Sequence, residues 1–139
     1  MKKFYSCPKT LRLDIRNGLF KDQTSGQAPG YAQANLCILP KDYAFDFLLF
    51  AQRNPKPCPI LKVLEAGEYT FGDIDIRTDI PKYRYFENGV LVSELEDVVD
   101  IWKHDLVTFI IGCSFSFEDA LQRAGLSVRH IDTERNVPM

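Results

Sequence analysis

The feature that most restricts this chain is the run Leu106-Val107-Thr108-Phe109-Ile110-Ile111-Gly112, which leads through Cys113 and Ser114 into a second segment with clear helix punctuation. Seven residues so uniformly apolar read as a strand covered on both faces. The segment Ser116–Ala124 carries Ser116 at the capping position, Asp119 three residues on and Gly125 just past its end, which marks a helix. A buried strand turning into a helix at a glycine implies an α/β arrangement. The junction would place backbone N–H groups at the positive end of a helix dipole, where a small carboxylate can bind.

The rest of the chain supplies the partners. Asn35-Leu36-Cys37-Ile38-Leu39 is a short apolar run stopped by Pro40, which suits the first turn of a helix over about Asp42 to Arg53. Phe45, Phe47, Leu48, Leu49 and Phe50 cover more than one face of that helix, so burial on most sides is expected, with Asp46 in need of a partner. Pro55, Pro57 and Pro59 hold an extended segment, followed by a strand at Leu61 to Leu64 and a turn at Ala66-Gly67-Glu68. From Asp73 to Ile80 polar and apolar residues alternate, which predicts a strand with one charged face. Asn88-Gly89 between Lys82–Glu87 and Val90–Leu95 predicts a hairpin, because both central residues of a type I′ turn need positive φ. A short amphipathic helix over Glu96–Lys103 and a last strand over Ser127–Ile131 complete the reading. The expected fold is α/β, a mixed sheet with a β-hairpin around Asn88-Gly89 and helices packed on it. Residues 17–35, broken by Asn17-Gly18, Ser25-Gly26 and Pro29-Gly30, form a long loop, and its Tyr31, Gln33 and Asn35 suggest order rather than slack.

Composition narrows the function. The 139 residues, 45% hydrophobic and 26% charged, suit one domain with a core of its own, and a net charge of -2 without a basic stripe argues against nucleic acid. No apolar run reaches the roughly 20 residues of a membrane span, and no signal-peptide core follows Lys2-Lys3, so neither a membrane partner nor export is expected. The four dispersed cysteines form neither a metal-binding pattern nor a disulfide framework, which suits reduced thiols in a cytoplasm.

Three constellations carry chemistry. At the junction, Gly112 permits close approach, Cys113 is a candidate nucleophile whose thiolate a helix start would favour, and Ser114 and Glu118 are within reach of the same place. Strand-glycine-serine-helix turns are also common structural devices, and cysteine is often simply buried. Asp75, Arg77 and Asp79 share one face of the expected strand, where neighbouring carboxylates would raise a pKa unless Arg77 offsets them. Arg77 there suits a carboxylate clamp better than Asp-x-Asp suits a metal. An ion-paired, solvated face is the plain alternative. His130 beside Arg129 is a candidate proton carrier, whereas His104 in Trp102-Lys103-His104-Asp105 looks like a surface turn.

Several longer segments are specific: Ala28-Pro29-Gly30-Tyr31-Ala32-Gln33-Ala34-Asn35-Leu36, Ala44-Phe45-Asp46-Phe47-Leu48-Leu49-Phe50, Asn54-Pro55-Lys56-Pro57-Cys58-Pro59, Asp75-Ile76-Arg77-Thr78-Asp79-Ile80-Pro81, Ile111-Gly112-Cys113-Ser114-Phe115-Ser116-Phe117-Glu118 and Val128-Arg129-His130. Together they resemble the D-glutamate cyclase family, also described as hydro-lyases, from about Arg16 to Met139. The resemblance implies loss of water between the amine and side-chain carboxyl of D-glutamate to give 5-oxo-D-proline. Bacterial members carry only the broader hydro-lyase description. It implies Arg77, Asn35, Gly112 and Arg129 as substrate-binding residues and Cys113, Ser114, Glu118, His130, Asp75 and Asp79 as candidate catalytic groups, with no metal and no organic cofactor. The expected partner is a small carboxylate-bearing molecule, and a homo-oligomer is compatible with the sequence. Ala51 departs from a cysteine expected in many relatives. Relatives also continue beyond Asn136-Val137-Pro138-Met139, so residues 1–139 are expected to be a single α/β domain lacking a C-terminal portion. That leaves two rival readings: a non-catalytic carboxylate-binding or assembly module, and an amidohydrolase dependent on Cys113.

Overall fold

The computed structural model of the chain describes residues 3–133, apart from the His130 side chain. Its centre is the apolar run singled out above. Strand β7 (Leu106–Gly112) lies between β1 (Ala34–Pro40) and β2 (Ile60–Leu64), antiparallel to both, with Leu36 opposite Ile110 and Leu64 opposite Thr108. Val107, Thr108, Phe109 and Ile110 are all buried, so consecutive side chains are covered on opposite faces, as the unbroken apolar pattern requires. Helix α2 (Lys41–Arg53) follows β1 directly and lays Phe47 against Phe109, ring centres 4.8 Å apart.

Before the sheet comes α1 (Pro8–Arg16), which the sequence reading did not anticipate. Pro8 opens it, where the missing N–H costs nothing, and Leu11 and Ile15, one turn apart, pack with Tyr5 and Phe20 in a small separate core. The Tyr5 and Phe20 rings meet edge to face at 5.5 Å.

Two two-stranded units complete the chain: β3 (Thr70–Phe71) with β4 (Ile74–Asp75), and β5 (Tyr83–Glu87) with β6 (Val90–Leu95). The second is the expected hairpin, and Asn88 (φ 49°) and Gly89 (φ 78°) both adopt the left-handed backbone that its turn demands. Helix α3 (Phe115–Arg123) ends at Gly125 with φ 78°, and α4 (Arg129–Asp132) is the last described element.

The fold is α/β, with five corrections. Pairing between the described strands is antiparallel rather than mixed. The alternating stretch after Asp73 keeps strand geometry only over Ile74–Asp75, because side chains then compete for its backbone: Asp75 accepts the Arg77 N–H at 2.9 Å and Asp79 accepts the Asp75 N–H at 3.1 Å. The expected helix over Glu96–Lys103 is a series of turns, in which Asp97 accepts the Val99 N–H and the Val98 N–H donates to the Arg77 carbonyl. The expected strand at Ser127–Ile131 is replaced by α4, with the Val128 carbonyl accepting the N–H groups of Ile131 and Asp132. Helix α2 also departs from expectation, since Tyr43, Phe45, Leu48 and Phe50 are exposed.

Candidate functional site

The junction after β7 is built against the long loop. The Gly112 N–H donates to the Pro59 carbonyl at 2.9 Å and the Cys113 N–H to the Gln33 carbonyl at 3.2 Å, so both are occupied by backbone acceptors. Ser116 lies inside α3 rather than capping it: its hydroxyl accepts the Gln33 N–H at 2.9 Å. Ser114 takes the capping position without a side-chain bond to the helix. The dipole and the helix start are therefore present as expected, but the first two N–H groups of the junction serve the fold.

Gln33 is a hub. Its Nε2 donates to the Gln27 carbonyl at 3.2 Å and its Oε1 accepts from the Thr24 hydroxyl at 2.8 Å. Gln27 is itself buried, with Oε1 accepting the Tyr5 N–H at 2.8 Å and Nε2 donating to the Lys3 carbonyl at 3.1 Å. The loop is thus ordered by amide side chains that replace the missing ladder partners. Ala28, Gly26 and Gly30 all take positive φ along it, and the glycines do so without steric cost.

Between this loop and α3 lies a small open cleft lined by Gly30, Tyr31, Phe115, Ser116, Glu118 and Gln122, with Ile131 of α4 at one side. Glu118 is 7% exposed, and its Oε2 accepts the Ser25 hydroxyl at 3.1 Å. Cys113 and Gly112 are half-buried at the base of the junction, and Asn35 is exposed on β1 opposite Ile111. Arg129 is exposed at the start of α4, while the His130 side chain lies outside the described residues.

Asp75, Arg77 and Asp79 come together elsewhere, in a network against α1. Arg77 makes two bonds to Asp75, 2.8 and 3.0 Å, and its guanidinium lies 3.6 Å from the centre of the Tyr69 ring. Arg16 forks onto both oxygens of Asp79 at 2.7 Å, and Asp79 also accepts the Thr78 hydroxyl at 2.8 Å. Burial pushes the Asp79 carboxyl up, but the Arg16 bonds, the Asp75 N–H and the Thr78 hydroxyl together hold it below its ordinary value. The bonds from Arg77 likewise hold Asp75 low against a smaller effect of burial. The arginines offset the crowding of like charges, and both carboxylates are poised as anions. Arg16 is the member that sequence reading missed, since 63 residues separate it from Asp79.

Lys9, Arg12, Leu13, Arg16, Asp73 and Asp79 border a second cavity of about 150 Å³, which shares none of its lining residues with the cleft at the junction. The candidate residues therefore fall into two groups: Gly112, Cys113, Ser114 and Glu118 around the junction, and Asp75, Arg77 and Asp79 around α1.

An antiparallel-sheet α/β protein with a glycine at a strand-to-helix junction describes a class shared by many unrelated chains. Sequence comparison is more specific. The family described as D-glutamate cyclase matches residues 107–139, the segment holding β7, the junction and α3. The chain is 56% identical to a "Putative hydro-lyase" of Jannaschia sp. strain CCS1, covering 93% of this chain and 50% of that protein. It is 57% identical to one of Corynebacterium urealyticum, covering 95% and 51%, and 54% identical to one of Bacillus subtilis strain 168, covering 95% and 53%. The chain is thus similar over nearly its whole length to relatives described as hydro-lyases, and its segment 107–139 matches the D-glutamate cyclase family. It spans about half the length of the curated relatives it matches.

Proposed function

We propose that this chain forms part of a hydro-lyase acting on a small amino or hydroxy acid, with D-glutamate cyclisation to 5-oxo-D-proline as the specific reaction. The observation that carries the reading is the family match over β7, the junction and α3, the region where Glu118 is buried beside an ordered glycine-rich loop. In the reaction the amine nitrogen bonds to the side-chain carboxyl carbon, one carbon–oxygen bond breaks, and the oxygen leaves as water with protons from the amine.

Glu118 is the carboxylate in this scheme that moves the proton, with Ser114 donating to the developing oxyanion and the N-terminal end of α3 favouring negative charge there. Arg129 of α4 is the group proposed to meet the second carboxylate. Arg77, held by Asp75 and Tyr69, acts in this scheme by keeping the network against α1 in shape rather than by clamping substrate. Holding amine and carboxyl together supplies much of the rate, since closure of a five-membered ring depends on orientation. No metal or organic cofactor enters the scheme. Among the described residues no cluster of three or more His, Cys, Asp or Glu is placed to hold a metal ion.

The test is formation of 5-oxoproline from D-glutamate by the purified protein. Glu118→Gln should lower turnover by about 10²-fold or more, the range of general acid–base catalysis, while Cys113→Ser should leave it within a few-fold. Turnover by wild type that survives Glu118→Gln undamaged refutes the assignment. Unimpaired turnover in Cys113→Ser removes a covalent mechanism on that thiol, which the amidohydrolase reading requires.

A further inference from the structure

Helix α2 carries large apolar side chains on more than one side, yet only one side is covered. Ala44, Phe47 and Ala51 face the sheet at spacings of three and four, whereas Phe45 is 71% exposed and Tyr43 and Phe50 are also exposed. Asp42, Asp46 and Arg53 supply a polar stripe suited to water, but three exposed aromatic rings on one short helix exceed what a solvated face needs. The hairpin of β5 and β6 presents a second case. Val90, Leu91 and Val92 are all exposed, and because alternate residues of a strand point to opposite faces, both faces of β6 are uncovered. Two strands paired only with each other are marginal in water.

Tyr43, Phe45 and Phe50 on α2 and Val90, Leu91 and Val92 on β6 are thus exposed apolar side chains on a chain that spans about half the length of the relatives it matches.

We infer that the outer face of α2 and the β5–β6 hairpin form the docking surface for a polypeptide equivalent to the half of the relatives that this chain does not span. The occupant is apolar where it meets Tyr43, Phe45 and Phe50, and it completes the core around Val90 and Val92. A second copy of this chain is the rival occupant. It would have to satisfy a helix and a hairpin with elements that the relatives provide from another sequence.

The experiment joins this chain, in the relative's own order, to the unspanned half of the Bacillus subtilis relative, with Cys7 replaced by Ser. Thiol-reagent labelling is then followed at Phe45→Cys and Val92→Cys, with Lys103→Cys as the exposed control. Labelling at positions 45 and 92 should slow at least tenfold relative to the 139-residue chain, with the control unchanged. Equal labelling in a cooperatively folding chimera overturns the inference, as does a chimera without a cooperative melt. Protection in the 139-residue chain alone that grows with its concentration overturns it in favour of self-association.

Discussion

Arg16→Ala tests the network against α1 most directly. The Asp79 side chain has no exposed surface and Arg16 is its only cationic partner among the described bonds, contributing two at 2.7 Å. Removing the arginine leaves a carboxylate in the interior with the Thr78 hydroxyl and the Asp75 N–H as its remaining donors. Breaking a buried pair in this way costs about 3–5 kcal/mol, because the charge left behind is uncompensated. Arg16 itself is 39% exposed, so the reverse change, Asp79→Asn, leaves the guanidinium able to reach water and keeps an oxygen for the remaining donors. That variant should lose about 1–2 kcal/mol. The measurement is urea unfolding at neutral pH, with Arg16→Ala lowering the midpoint the more of the two. The pH dependence follows from the lowered pKa of Asp79. A carboxyl held low in the folded state contributes its stability above the unfolded value of about 4 and loses it as pH falls through the folded value. The gap between wild type and Arg16→Ala should therefore narrow below about pH 4. An Arg16→Ala protein within 0.5 kcal/mol of wild type, or one less affected than Asp79→Asn, would refute the reasoning.

Three further outcomes are expected. Gly112→Ala would bring a Cβ to 3.2 Å from Pro59 Cγ, a contact that the ring must relieve, so a loss of about 1–2 kcal/mol in thermal or urea unfolding is expected. Gly89→Val forces a β-branched residue into φ 78°, costing about 1–2 kcal/mol, and amide exchange should show the loss concentrated in β5 and β6. Tyr83, buried and donating its hydroxyl to the Ile76 carbonyl at 2.7 Å, has its pKa pushed far above that of a free tyrosine by burial. Spectrophotometric titration should find one tyrosine that ionises only when the fold is lost, and Tyr83→Phe should remove that step.

Local physics made parts of this protein legible in its residues. The apolar run of β7, the turn at Asn88-Gly89, the Pro40 start of α2 and the Gly125 stop of α3 each depend on backbone preferences that act over a few residues. The junction belongs with them, since a glycine between a buried strand and a helix start announces itself. The stretch after Asp73 was misread for an equally local reason: its alternation is that of a strand, but its aspartates bond their own backbone more readily than a neighbouring strand could. Partners distant in sequence left no such signal. Arg16 reaches Asp79 across 63 residues and Ser116 reaches Gln33 across 83, and no periodicity encodes either contact. What the sequence by itself determined was therefore the central strands, the hairpin turn and the marked ends of α2 and α3, together with the family resemblance. Tertiary structure alone decided that the expected charged strand is an arginine-locked turn, that the first junction amides are already occupied, and that α2 is covered on one side only, because those facts depend on which distant groups desolvate one another.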